Sequence, residues 1–343
     1  MTAFWNEADF DDHEMVHFVR DRDSGLTAII AVHSTHLGPA AGGTRFWHYA
    51  EGGDAIRDAL RLSRGMSYKN AMADLPAGGG KAVIVADAAR TKTPAMLAAF
   101  AKAVDGLAGK YVTAQDVGMS EADMVALSQH TSHVAGLPGQ GGDPGPYTAR
   151  GVFLGIEAAA RRALGADSLK DVRIAFQGLG SVGGGAARYC AQAGAQLVLA
   201  DIDADKTKAL AEELGGIAVS SDDVLASDVD IVSPNALGAI LTEQSIETIT
   251  AKAIAGGANN QLATGEEGTL LQQRGILYAP DYVINAGGII NVLRHIDGAD
   301  DAVVNARIDT IPVRLEAIWQ EAENSGQAPN QVADRMAKAR IGR

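Results

Sequence analysis

"VRIAFQGLGSVGGGAARYCAQAGAQLVLAD", residues 172–201, reads as strand, glycine turn, helix and strand in immediate succession. VRIAF is short and apolar, and Gly178-Leu-Gly180-Ser181-Val182-Gly183 follows it directly and opens the helix. In this pattern the first glycine permits a tight turn. The second lets backbone approach a pyrophosphate, and the third lets the helix pack on the strand. A bare GxGxxG carries little weight, because a glycine-rich turn has no need of a nucleotide. Here the second strand ends in Asp201, 23 residues after Gly178. A carboxylate at that place accepts from the adenosine ribose hydroxyls and repels a 2′-phosphate, so NAD is expected rather than NADP.

Outward from this stretch the second half keeps alternating. Helices are expected over 149–164 and 206–214, and strands over 229–234, 251–257 and 275–280, with one long helix over 300–324 and another over 329–343. Short apolar strands spaced by helices predict a parallel sheet covered on both faces. The first half is different. Residues 16–34 read as two strands about the turn Asp23-Ser24-Gly25. A helix over 53–66, a strand over 81–87, a helix opened by Pro94, a strand over 111–116 and a helix capped by Ser120 follow. Between the halves, GLPGQGGDPGP (136–146) holds five glycines and three prolines, the mark of a linker or hinge. The expected architecture is α/β with two domains and a cleft between them. The N-terminal α/β domain, 1–140, would bind substrate and carry catalysis. A Rossmann-type dinucleotide-binding domain would span 141–324, with 325–343 packing back on the first.

At 343 residues the chain is long for one core. Its formal net charge of −13 disfavours nucleic acid and acidic membrane surfaces as partners. Cys190 is the only cysteine, so no internal disulfide forms and a reducing compartment suits the chain. No signal peptide or bilayer-length apolar run stands out, and a cytoplasmic location is expected.

"GMSYKNAMADLPAGGGKAVI", 65–84, sets Lys69 and Lys81 about a Pro-Ala-Gly-Gly-Gly segment that reads as a bend. Lysine is ordinarily a solvated surface charge. Lys81, however, opens an apolar strand behind glycines that permit close approach. Partial desolvation there lowers an amine's pKa and makes it a usable base. Spacing alone leaves both readings open.

Five blocks, THLGPAAGGTRFW (35–47), RGMSYKNAMADLPAGGGKAVI (64–84), YVTAQDVGMS (111–120), AGGANNQLA (255–263) and YAPDYVINAGGIINV (278–292), together resemble the leucine/phenylalanine/valine dehydrogenase family, relatives of glutamate dehydrogenase. The resemblance runs in order along nearly the whole chain. It implies NAD-dependent, reversible oxidative deamination of an apolar L-amino acid to its 2-oxo acid and ammonia. On it, Lys69 pairs with the substrate α-carboxylate, Lys81 is the general base that activates water, and Asp116 exchanges protons with it. Gly42 and Met66 fall on the substrate side, and Ala41, Ala114, Ile289 and Val292 line the side-chain pocket. Thr148, Asn259 and Asn285 fall on the nicotinamide side. No metal is implied. A homo-oligomer is, at least a dimer.

The sequence departs from the family pattern at several positions. Ala41 stands where glutamate-specific members carry lysine and leucine-type members leucine, so a dicarboxylic substrate lacks its counter-ion and a larger apolar one gains room. Gln115, Met119 and Asn235 replace a usual glutamate, threonine and cysteine, Gly145-Pro146 stands for Ser-Pro, and the chain ends short of the tail of leucine-type members. The alternatives are a dehydrogenase for an unusual bulky or N-substituted amino acid, and a non-catalytic NAD-binding sensor; a sensor has no use for Lys69, Lys81 and Asp116 together. His13-Glu-Met-Val-His17 spells a zinc-protease signature, but it leads into a strand, where positions i and i+4 lie ~13 Å apart, too far for one metal.

Overall fold

The computed structural model describes residues 4–343 apart from Ala8, Gln140, Gly141 and Leu237. The chain divides into two units. One comprises Met1–Gly142, Val292–Asp300 and Ala337–Arg343, the other Asp143–Asn291 and Asp301–Met336. The expected boundary at 140/141 falls on residues outside the described ones. The terminal stretch 325–343 is shared, with only Ala337–Arg343 in the first unit.

In the first unit, β1 (Met15–Arg20) and β2 (Thr27–Ser34) form the expected antiparallel pair. β3 (Ala40–Trp47), α1 (Gly52–Met72), β4 (Gly78–Val85), α2 (Pro94–Asp105), β5 (Tyr111–Gln115) and α3 (Glu121–Ser128) follow. The sheet order is β1-β2-β4-β3-β5, with β3 parallel to both β4 and β5. Successive side chains of a strand point to opposite faces. Ala28, Ile30, Ala82 and Ile84 accordingly pack with Leu97 and Phe100 of α2 and Met124 and Leu127 of α3. Ile29, Ala31 and Val83 face the other way, against Ala55, Ala59 and Leu60 of α1. Lys81, one position before Ala82, therefore lies on the α1 face.

Two expectations in this unit need correction. The helix expected over 53–66 runs on to Met72, past Gly65 and the polar Ser-Tyr-Lys-Asn. Burial decides it: Ser67, Tyr68, Asn70, Ala71 and Met72 are all buried, and Asn70 Nδ2 donates to the Gly78 carbonyl at 2.6 Å. Tertiary packing, more than propensity, stabilises most helices. The glycine triplet is likewise no bend, because Gly78–Gly80 begin β4. A Cβ at Gly79 would overlap the Ser67 backbone, and one at Gly80 would lie 2.7 Å from the Tyr111 ring. The entropic cost of three glycines is offset by seating α1 and Tyr111 directly on the strand.

His13 and His33 meet edge to face behind this helix, with ring centroids 4.8 Å apart. His33 Nδ1 lies 2.7 Å from the Ser67 hydroxyl, and Arg343 Nη2 donates to the His33 carbonyl at 2.8 Å. Burial, then the Arg343 charge, pushes His33 from 6.5 down to about 4. The unfolded chain thus takes up this proton below pH 6.5 while the folded one resists until about pH 4. This contribution is complete above the higher value and lost as pH falls to the lower, about 3 kcal/mol in all. Urea unfolding at pH 7 and pH 4.5 should show most of that loss in the parent and little of it in His33→Gln. Nε2 of His13 lies 3.0 Å from the Leu60 carbonyl and the Ser63 hydroxyl, and His17 sits in β1. Among the described residues no cluster of His, Cys, Asp or Glu is placed to hold a metal, and no helix is long and apolar enough to cross a membrane.

The second unit opens with α4 (Gly145–Leu164), then β6 (Arg173–Gln177), α5 (Ser181–Gln192), β7 (Gln196–Ala200), α6 (Ala204–Leu214), β8 (Ile217–Ala218), β9 (Ile231–Pro234), α7 (Glu243–Thr248), β10 (Ala253–Ile254), α8 (Glu266–Gln273) and β11 (Leu277–Tyr278). Short helices α9 (Asp281–Ile284) and α10 (Gly287–Val292) follow, and α11 (Arg294–Asp297) belongs to the first unit. The six strands are all parallel, in the order β11-β10-β9-β6-β7-β8. Strand order thus reverses between β6 and β9, the switch point at which Rossmann-type sheets bind dinucleotides. The single helix expected over 300–324 is two, α12 (Asp301–Asp309) and α13 (Ile311–Ser325). Pro312 ends the first, since it lacks an N–H and its ring would strike the carbonyl four residues back. Helix α14 (Pro329–Arg340) closes the chain.

Candidate active site

Strand register assembles the first half of the site. Gly43 of β3 pairs with Ala114 of β5, and Thr44 pairs with both Ala82 and Gln115. Lys81 and Asp116 are thereby brought to the two sides of Gly43 and Arg45. A Cβ at Gly43 would press on Asp116 Cβ at 2.8 Å, so this glycine clears the space the carboxylate uses. Lys81 Nζ lies 2.9 Å from Asp116 Oδ2, with the lysine side chain only 7% exposed. Burial lowers the Lys81 pKa from 10.5, Asp116 opposes that, and Arg45 adds to it. For Asp116, burial alone would raise the carboxyl, but the Lys81 and Arg45 charges outweigh it and hold it below 3.8. The arrangement is a buried amine that holds its proton less tightly than in water, at hydrogen-bond distance from a carboxylate kept ionised.

Arg45, Asp58 and Tyr49 were not singled out from the sequence. Arg45 Nε donates to Asp116 Oδ2 at 3.2 Å, and Nη1 donates to Asp58 Oδ2 at 2.7 Å. Tyr49 OH donates to the same Asp58 oxygen at 2.6 Å. The alternation of β3 offered a signal, since Ala41, Gly43 and Arg45 must share a face.

Of the positions on the substrate side, Lys69 and Met66 stand in the last two turns of α1. Ser67, between them, touches Gly79 and so seats this turn against the strand that carries Lys81. Gly42 is packed so closely that a Cβ would meet the Met66 side chain at 3.0 Å. Ala41 is fully buried and Ala114 nearly so. Val292 belongs to this unit, where a Cβ on Gly136 would lie 3.6 Å from it. Ile289 belongs to the other unit.

In that unit the glycine turn has the shape a pyrophosphate needs. Gly178 has φ +86°, and a Cβ there would meet Ala236 at 2.7 Å. At Gly183 a Cβ would overlap the Gly178 carbonyl, whereas at Gly180 it meets nothing within 4 Å. The free backbone at Gly180, with Ser181 and Val182, starts α5, whose N-terminal N–H groups favour an anion. Asp201 Oδ2 accepts from Leu179 N at 2.7 Å, and Lys206 Nζ stands 3.4 Å from it, a neighbour the sequence reading did not name. Thr148 donates to the Pro144 carbonyl at 3.0 Å in the first turn of α4. Asn285 caps α9, the helical turn that follows β11. Its Nδ2 donates to Asn259 Oδ1 at 2.9 Å, and its Oδ1 is buried with no hydrogen-bond partner among the described residues. An open glycine cradle and an orphaned amide oxygen suit a bound dinucleotide.

Known proteins resemble this chain over nearly its whole length. Residues 13–133 match the family described as Glu/Leu/Phe/Val dehydrogenase, dimerisation domain, and 201–341 match Glutamate/Leucine/Phenylalanine/Valine dehydrogenase. The chain is 44% identical to leucine dehydrogenase of Geobacillus stearothermophilus, over 96% of this chain and 91% of that one. It is 42% identical to L-tryptophan dehydrogenase of Nostoc punctiforme, over 96% and 93% respectively. A crystal structure of L-tryptophan dehydrogenase from Nostoc punctiforme superposes with a TM-score of 0.87 at 41% identity, covering 96% of each chain.

Proposed function

Since this chain belongs to the glutamate/leucine/phenylalanine/valine dehydrogenase family and is an amino-acid dehydrogenase, we propose that it oxidatively deaminates an apolar L-amino acid with NAD. The products are the 2-oxo acid and ammonia. The observation that carries this reading is the buried Lys81–Asp116 pair, on the strand face it shares with the buried, uncharged Ala41 and Ala114. Small side chains at both positions favour larger substrates, of the phenylalanine or leucine kind.

Lys69 binds the α-carboxylate and orients the substrate, a contribution of position more than of chemistry. Bound NAD supplies the hydride acceptor. Neutral Lys81 takes a proton from the water that adds to the imino carbon, and Asp116 receives and returns protons as ammonia departs. Gly178, Gly180, Ser181, Val182 and Gly183 would hold the pyrophosphate and Asp201 the adenosine ribose. Thr148, Asn259 and Asn285 would meet the nicotinamide. The dimerisation description over 13–133 supports a homo-oligomer, at least a dimer.

NADH formation at alkaline pH with leucine, valine, phenylalanine, tryptophan and glutamate tests the substrate class. Turnover led by one of the first four is expected, and turnover led by glutamate would overturn it. Asp201→Ala should weaken NAD by about tenfold, the loss of one charge-assisted hydrogen bond, and weaken NADP less. Equal weakening of both would remove Asp201 from the ribose.

A further inference from the structure

We propose that Arg45 is a positioning residue for this reaction: held from behind by Asp58, its guanidinium fixes the Asp116 carboxylate against Lys81. The claim rests on the role assigned above to Lys81 and Asp116. Its basis is a continuous chain of contacts. Lys81 Nζ and Arg45 Nε converge on one oxygen, Asp116 Oδ2, at 2.9 Å and 3.2 Å. Behind them, Arg45 Nη1 and Tyr49 OH converge on Asp58 Oδ2 at 2.7 Å and 2.6 Å. Arg61 reaches the other Asp58 oxygen at 3.3 Å. Both ends of the guanidinium fork are therefore engaged, one on each carboxylate.

Asp116 follows the end of β5 at Gln115, and the hydrogen bonds of that ladder do not hold its side chain. Without a second partner it would turn about its own torsions, and one side-chain contact to a lysine would have to fix it. Arg45 removes that freedom, and it does so as a group that never gives up its proton. It therefore takes no part in proton transfer between Lys81 and Asp116. Asp58, only 11% exposed on α1, anchors the far side of the fork. The outer end of the chain of charges opens on a cavity of about 400 Å³ lined by Tyr49, Asp54, Arg57 and Arg61 among others. Water reaches Arg45 from that side, while Lys81 stays buried.

Charge gives the arrangement its second effect. A carboxylate at hydrogen-bond distance favours a protonated lysine, which cannot act as a base. A guanidinium on the same oxygen offsets part of that pull and repels the ammonium form. Asp58 on α1 also acts on Lys81, favouring its charged form as Asp116 does. The β2 register partner of Lys81, Ala31, brings no charge, and Tyr111 of β5 is engaged with the Gly42 carbonyl at 2.7 Å. Arg45 is thus the cation that balances Asp116.

The test is the pH dependence of kcat/KM for the parent, Arg45→Met, Arg45→Gln and Arg45→Lys, each first checked for folding and NADH binding. In the Met and Gln variants the midpoint of the alkaline rise should move up by about one pH unit. Arg45→Lys keeps the charge but loses the fork, so its midpoint should stay nearer the parent while kcat falls. A purely structural role would lower yield or stability and leave the midpoint in place. Folded, NADH-binding Met or Gln variants with an unmoved midpoint would overturn the proposal. If either fails to fold, the other and Arg45→Lys carry the same comparison. A parent with no amino-acid dehydrogenase activity would instead sink the proposed function, so the two failures are distinguishable.

Discussion

Lys81→Ala is expected to lower kcat/KM by about a thousandfold while leaving NADH affinity within a few-fold of the parent. General-base catalysis contributes about 10²–10⁴ in rate, and no neighbour can replace the amine. Asp116 is held ionised by Arg45, but it sits too low on the pKa scale to activate water efficiently. The variant should fold, because Arg45 Nε still pairs with Asp116 at 3.2 Å and no buried charge is left bare. NADH affinity should persist because the glycine turn lies in the other unit. The parent's profile should agree in sign. Activity needs the neutral amine, which accumulates as pH rises through a value below the ordinary 10.5. Stopped-flow and steady-state kinetics with fluorescence titration of NADH check both parts. Residual kcat/KM within tenfold of the parent would remove Lys81 from the role of base.

Gly79→Ala should strongly destabilise the first unit. The new Cβ would fall on the backbone of Ser67, which cannot turn aside as a side chain can. Either α1 lifts off β4 or the strand shifts, at a cost of about 3 kcal/mol. The last two turns of α1 carry Met66 and Lys69, so the same displacement should raise KM for the amino acid more than it lowers kcat. Gly65→Ala is the matched control. It sits on the same helix where a Cβ meets nothing within 4 Å, and it should stabilise by about 0.5–1 kcal/mol. Denaturant melts of the two variants read out the contrast. Equal stabilities would mean that the glycines of β4 are not there to seat the helix.

Two features of the first unit have a cause distant in sequence. SYKN looked like the end of a helix because Gly65 and four polar or aromatic residues interrupt its apolar pattern. The helix continues because Ser67, Tyr68 and Asn70 are buried in the fold, which no window of neighbouring residues reports. Gly78–Gly80 looked like a bend because glycine is locally a turn former, yet the reason for them is Ser67 and Tyr111, distant in sequence. Pro312 carried its own signal and was overlooked. Asn285 lies past a strand end because β11 is only Leu277–Tyr278 and the next turn is helical.

Local chemistry was enough to decide the doubly wound half of the protein. An apolar strand, a glycine turn and a helix in direct succession permit few other packings, and they end in a helix N-terminus of the kind that favours an anion. Tertiary structure alone brought Arg45 and Asp58 to Lys81 and Asp116, a pair that the family resemblance already implied. These residues come from two strands, a helix and the end of a third strand, and they meet only once register across β4, β3 and β5 is set. Charges act through space and register is a property of the whole sheet, so no local stretch of the chain contains that information.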